Sequence, residues 1–155
     1  MQNLHEHYMR MALKEAQIAF GKDEVPVGAV IVYKGQIIAR AHNQIKMLKD
    51  PTAHAEMIAI TQAAAFLKNE RLNECDVYVT IEPCPMCVGA MVLGRIKNLY
   101  YATEDLKTGA CGSICDLIGH KKLNHRIKVT QGILRDECRA VIQEFFKRKR
   151  SLTKA

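Results

Sequence analysis

Apolar residues at Leu4, Tyr8, Met11, Ala12, Ala16, Ile18 and Ala19 recur every three or four positions. That spacing predicts an amphipathic helix, ended by Gly21. The period then changes. Residues 27–33 and 36–41 are β-rich runs, and Lys34-Gly35 between them is a hairpin signal. Pro51, behind a candidate cap at Asp50, predicts the start of an alanine-rich helix that runs to about Leu67. Residues 76–81 read as a short buried strand, and Pro83 and Pro85 punctuate the start of a further helix reaching about Leu93. Strand-like sequence returns over 96–102. A short helix is predicted after Gly112, a strand near 127–130, and a last helix from about Leu134 into a basic tail. Strands alternating with helices after an opening hairpin predict an α/β three-layer α/β/α sandwich around one mixed sheet. The apolar run at 27–32 fits a strand buried on both faces. The order of strands does not follow from the pattern. No repeat, low-complexity tract or linker divides the 155 residues, so one domain over 1–155 is expected.

Composition adds limits rather than direction. An apolar share of 48% and a charged share of 25% are ordinary for a globular protein. The longest apolar run, 27–33, is far too short to cross a bilayer. The opening residues, with His5, Glu6, His7 and Arg10, lack the apolar stretch of a secretory signal. A cytoplasmic protein with no membrane partner is therefore expected. The formal charge of +7 favours anionic partners, and its placement says more than its size: Lys147-Arg148-Lys149-Arg150 follows directly on Phe145-Phe146. The six cysteines do not resemble a disulfide framework, because the chain is not a small secreted one and the spacing is uneven. Cys75, Cys111, Cys115 and Cys138 sit among apolar neighbours and read as buried or half-buried thiols. Cys84 and Cys87 form a tight pair that needs another explanation.

That explanation involves His54 and Glu56. Both His54-Ala55-Glu56 and Pro83-Cys84-Pro85-Met86-Cys87 fall where a strand or loop feeds a helix N-terminus. In a first helical turn the sulfurs of Cys84 and Cys87 project from one face, and a helix N-terminus favours the thiolate, the form that binds zinc. One imidazole and two thiolates make three ligands. Structural zinc takes four, whereas catalytic zinc takes three and leaves a position for water. Cys111, Cys115 and His125 are available as a fourth ligand, but none stands in a ligand-pair spacing. Zinc lowers the pKa of bound water towards ~7, and a carboxylate such as Glu56 beside it can move that proton to a leaving amine. Residues two apart do not share a helix face. The two side chains can still converge if His54 lies at the very start of its helix.

His-x-Glu followed by Pro-Cys-x-x-Cys is the signature of zinc nucleobase deaminases. The likeness extends well beyond it. Glu24-Val25-Pro26-Val27-Gly28-Ala29, Ala41-His42-Asn43, Pro51-Thr52-Ala53-His54-Ala55-Glu56 and Glu82-Pro83-Cys84-Pro85-Met86-Cys87 carry it through the first half. Asp105-Leu106-Lys107-Thr108-Gly109, Gly112-Ser113, Asn124-His125-Arg126 and Gly132-Ile133-Leu134 carry it through the second. Over nearly its whole length the chain resembles the bacterial tRNA-specific adenosine deaminases. The zinc motif itself points only to the wider superfamily. Asn124-His125-Arg126 and the Phe145-Phe146 basic ending point to the tRNA branch.

The resemblance implies a cytidine-deaminase-like fold and conversion of adenosine to inosine at the wobble position of a tRNA anticodon. It implies a homodimer whose subunits both bind the anticodon stem-loop. It makes His54, Cys84 and Cys87 zinc ligands and Glu56 the catalytic proton shuttle. Asn43 would hydrogen-bond the flipped base, Asp105 and Lys107 would contact the loop backbone or a neighbouring nucleotide, and Phe145 and Phe146 would lie near the flanking nucleotides. The physical case for RNA is that an anticodon loop presents unpaired bases at small extrusion cost. Aromatics beside cations also suit stacked single-stranded bases. Taken alone, the basic run fits a solvated helix end and the phenylalanines fit core packing. A zinc deaminase of a free base or nucleoside, of guanine, cytidine or pterin type, shares the same chemistry and is the alternative. A zinc-stabilised RNA-binding module without turnover has no use for Glu56.

Overall fold

The computed structural model describes residues 2–153. Helix α1 (Gln2–Gly21) leads into strands β1 (Gly28–Tyr33) and β2 (Gln36–His42). Lys34 (φ 49°) and Gly35 (φ 77°) both lie in the left-handed region, the geometry of the two-residue turn that matches strand twist. A short helix α2 (Ile45–Leu48) precedes α3 (Ala55–Leu67). Strand β3 (Cys75–Ile81), helix α4 (Pro85–Leu93) and strand β4 (Asn98–Thr103) form a parallel crossover unit, and β5 (Lys128–Gln131) and α5 (Arg135–Thr153) complete the fold. The sheet order is β2-β1-β3-β4-β5. Strand β1 is antiparallel to both neighbours, while β3, β4 and β5 run parallel. The register of β1 against β2 shifts at Ile31/Val32, a bulge.

The three-layer α/β/α expectation is met. Along β1, Ala29 and Ile31 join one buried cluster and Val30 and Val32 the other. Ala55, Ala59 and Ala63 of α3 and Val88, Met91 and Val92 of α4 cover the first face. Met9, Ala12, Leu13 and Ala16 of α1 and Cys138 of α5 cover the second. Small residues permit close approach: a Cβ on Gly28 would lie 2.0 Å from the Ala12 carbonyl oxygen, so α1 rests on β1 backbone.

Several sequence expectations are corrected. The α1 stripe is rotated from the one predicted: Met9 and Leu13 are buried, whereas Leu4 and Ile18 are exposed. Asp50 does not cap a helix opening at Pro51. Its carboxylate accepts from the Thr52 amide (2.8 Å) and hydroxyl (2.7 Å), closing a local turn, and the helix begins four residues after Pro51, at Ala55. Between Gly112 and β5 the described residues form no helix. The amides of Cys111 and Ser113 are drawn to Glu82 instead, and an isolated bridge joins Cys111 to Asp116. All six cysteines are free thiols, and Cys115 is exposed rather than buried.

Candidate active site and metal centre

Two helix N-termini meet at one end of the sheet. His54 is the N-cap of α3 with extended backbone (φ −74°, ψ 152°), and Cys84 is the N-cap of α4 (φ −77°, ψ 172°), with Pro85 opening the helix behind it. Pro at the first helical position costs no hydrogen bond and presets φ. Because His54 stands just outside its helix, the two-residue spacing to Glu56 imposes no helical face on the pair. The imidazole and the carboxyl can therefore lie side by side.

His54 Nδ1 lies 3.6 Å from Cys84 Sγ and 3.6 Å from Cys87 Sγ. A tetrahedral zinc ion with bonds of about 2.3 Å to sulfur and about 2.1 Å to nitrogen would separate such ligands by about 3.6 Å. The donor set fits the ion in type and in spacing. Among the described residues, His54, Cys84 and Cys87 are the one His/Cys/Asp/Glu group with metal-ligand geometry. Cys111 and Cys115 do not join it, and His125 donates its Nε2 hydrogen to the Ile96 carbonyl (2.6 Å).

The cluster holds its protons unequally. The neighbouring Cys87 thiol donates to Cys84 and, with His54 beside it, holds the Cys84 thiol down at about 4. Cys87 keeps its proton correspondingly firmly, because of that same contact and its burial. The Cys84 sulfur and the Glu56 carboxylate both raise His54. Glu56 itself is 3% exposed, and burial pushes its carboxyl up to about 7. A buried carboxyl with a proton affinity near neutrality, beside a three-ligand group able to hold a metal, suits a group that takes and returns a proton.

A cavity of about 880 Å³ opens above this floor. Asn43 lines it with its side chain buried, and its Oδ1 accepts from the Ala55 amide at the start of α3 (2.8 Å). Asp105 and Lys107 reach the cavity from the segment after β4. The Asp105 carboxylate accepts from the Lys107 amide (3.0 Å) and from the Thr108 amide (3.2 Å) and hydroxyl (2.7 Å). It shapes its own turn. Lys107 is exposed and has no ion-pair partner among the described residues. Phe146 lines the cavity mouth and is 42% exposed.

Phe145 departs from expectation. It is buried, with its ring edge-on to Phe20 at 5.9 Å and to Phe146 at 5.4 Å, so it supports the cavity wall from behind. The basic run is divided as well. Lys149 pairs with Asp23, and Arg148 pairs with Glu144 (3.1 Å) and covers the Phe20 ring. Lys149 and Arg150 line the cavity, whereas Lys147 and Arg148 line a separate groove on the far side of α5.

Sequence reasoning passed over Glu82 and Glu104. Glu104 lines the cavity and is bound by Arg135 (2.6 Å) and Arg139. Glu82 is 2% exposed and accepts four hydrogen bonds. Its position directly before Pro83-Cys84 was the available signal.

The sequence profile of the MafB19-like deaminase family matches residues 3–150. The tRNA-specific adenosine deaminase of Aquifex aeolicus is 46% identical over 94% of this chain and 96% of its own length. That of Bacillus subtilis is 43% identical over 97% and 93%. The chain belongs to the tRNA-specific adenosine deaminase family. A solved structure from work on A-to-I editing by tRNA:A34 deaminases at the wobble position of transfer RNA covers 87% of the chain and 98% of its own, at 42% identity and a TM-score of 0.85. The guanine deaminase of Nitrosomonas europaea superposes with a TM-score of 0.79 over 90% of the chain and 83% of its own at 25% identity. The cytidine-deaminase-like fold is thus common to both, while the near-full-length identity lies with the tRNA-specific adenosine deaminase family.

Proposed function

We propose that this chain hydrolyses adenosine to inosine and ammonia at the wobble position of a tRNA anticodon, with zinc held by His54, Cys84 and Cys87. One observation carries the chemical half of that reading: a three-ligand cluster with no fourth protein ligand among the described residues, set beside a buried carboxyl at the floor of a cavity. When bound, zinc supplies acidity to a coordinated water and so a nucleophile near neutral pH. Glu56 takes the proton from the attacking water and passes it to the purine. It then takes the remaining proton from the hydroxyl added at the reacting carbon and delivers it to the departing amine, so that water and adenosine balance against ammonia and inosine. Asn43 is held by the Ala55 amide through its oxygen, which directs its NH₂ group to the extruded base as a donor.

The substrate half rests on the relatives at 40–46% identity, named tRNA-specific adenosine deaminases, and on the cavity walls. A volume of about 880 Å³ exceeds what one purine needs. Its rim offers Lys107 and Arg150 for phosphates and Phe146 for stacking. Phe145 acts behind Phe146, and Asp105 acts by shaping the turn that presents Lys107. A homodimer in which both subunits bind the stem-loop, and a cytoplasmic location with its tRNA substrate, belong to the same reading. No described helix is long and apolar enough to cross a membrane.

The test is to incubate the zinc-loaded protein with an anticodon stem-loop carrying adenosine at the wobble position, and separately with guanine, cytidine and free adenosine. Inosine in the stem-loop, with turnover far above that of the free compounds, is the expected result. Faster turnover of a free base overturns the tRNA reading and leaves the metal chemistry intact.

A further inference from the structure

Glu82 lies directly after β3, two residues before the ligand Cys84. It is 2% exposed, and none of the ion pairs among the described residues includes it. A buried carboxylate without a cation is costly unless its lone pairs are all satisfied. Here the donors come from one stretch of chain. Oε1 accepts from the Asp105 amide (3.0 Å) and the Ser113 hydroxyl (2.5 Å), and Oε2 accepts from the amides of Cys111 (2.8 Å) and Ser113 (3.2 Å). The backbone repeats the attachment: the Glu82 amide donates to the Thr103 carbonyl (2.8 Å), and the Ala110 amide donates to the Pro83 carbonyl (2.8 Å). Gly109 passes so close that a Cβ there would fall 2.2 Å from Glu82 Cδ. The segment from 104 to 113 is therefore folded around one carboxylate. Its outer turn carries Asp105, Leu106 and Lys107 into the cavity wall.

We propose that Glu82 is a positioning residue that fixes the 104–113 loop as the substrate-reading wall of the cavity, separately from the metal chemistry two residues away. Every partner of the carboxylate is a donor. An amide in its place would set an NH₂ group against N–H or O–H groups, so even an isosteric change opens the loop. The loop-fixing role stands on the geometry alone. The expectation that RNA is what the wall reads rests on the function proposed above.

The experiment compares the zinc-loaded parent with Glu82→Gln, Lys107→Ala and the double variant. Amide hydrogen exchange reads the loop directly, without RNA. The Glu82→Gln protein should exchange the Asp105, Cys111 and Ser113 amides faster, with α3, α4 and the zinc content unchanged. With the stem-loop, KM should rise about tenfold or more, the scale expected for losing hydrogen bonds to a charged group, and kcat should stay within a few-fold. Adding Lys107→Ala to Glu82→Gln should cost less than Lys107→Ala alone, because the displaced loop no longer presents that lysine. If Glu82→Gln does not fold, Ser113→Ala removes one donor and should shift exchange and KM in the same direction by less. Unchanged loop exchange overturns the proposal. So does a fall in kcat at constant KM, or full additivity with Lys107→Ala. A parent that neither binds nor deaminates the stem-loop overturns the tRNA reading, while the exchange result still decides the role of Glu82.

Discussion

The floor of the cavity and its outer wall differ in how far apart in sequence their parts lie. His54 with Glu56 and Cys84 with Cys87 are two short pairs, each fixed by the start of one helix. The wall is assembled from the segment after β4, held by Glu82 and by the arginines of α5, and from α5 itself, held by Asp23 and Phe20. Local geometry thus sets each pair, and the approach of His54 to Cys84 and Cys87 across the fold joins the two. Recognition depends on distant side chains meeting across the fold. The fold itself is shared with a guanine deaminase at 25% identity.

The largest expected effect tests the floor. Stripping the metal with a chelator, or introducing Cys87→Ala, should abolish turnover and lower the melting temperature, because metal binding also contributes folding energy. Adding zinc should restore the chelated parent and leave Cys87→Ala inactive. Stoichiometric metal and full activity in Cys87→Ala would move the ligand elsewhere. Next, Glu56→Ala should reduce kcat by about 100- to 10,000-fold, the usual scale of positioned proton transfer, with zinc retained by elemental analysis. Loss of zinc with activity would make Glu56 a ligand instead.

Two neighbouring phenylalanines sharpen the contrast within the wall. Phe145→Ala should destabilise the protein by about 3 kcal/mol in denaturant unfolding, as expected for emptying a buried aromatic site. Phe146→Ala should change stability by roughly 0.5 kcal/mol or less, as for a surface position, and weaken stem-loop binding. Equal effects of the two changes on stability would erase the distinction between support and contact. The smallest effect concerns charge. Arg150→Ala should flatten the dependence of log affinity on log salt by about 0.7, one single-strand phosphate. Arg148→Ala, on the groove side of α5, should leave the slope unaltered. A slope insensitive to both would remove the basic helix from the RNA interface.

The elements and the floor were legible because their signals are local: period, prolines and the ligand spacing. The failures have physical causes. Asp50 makes a turn with the same carboxylate chemistry that would have capped a helix. The helix expected after Gly112 is replaced by pairing of the segment with itself, Cys111 bridging to Asp116 and the Leu117 amide donating to the Ala110 carbonyl (2.9 Å). Phe145 and Phe146 are adjacent in sequence, so only the rotation of α5 against Phe20 decides which is buried. The strand order depends on pairing between distant runs, and no pattern within a run encodes it.

The sheet ends on each side in a strand that resists extension. At β5 the edge is four residues long and carries Lys128. At β2 the pairing is broken by a bulge, and the outward amide of Arg40 is already taken by Gln62 of α3 (3.0 Å). Short, charged or irregular edges are poor templates for a further strand. A sheet continued from one chain into another is therefore disfavoured at either edge of this fold.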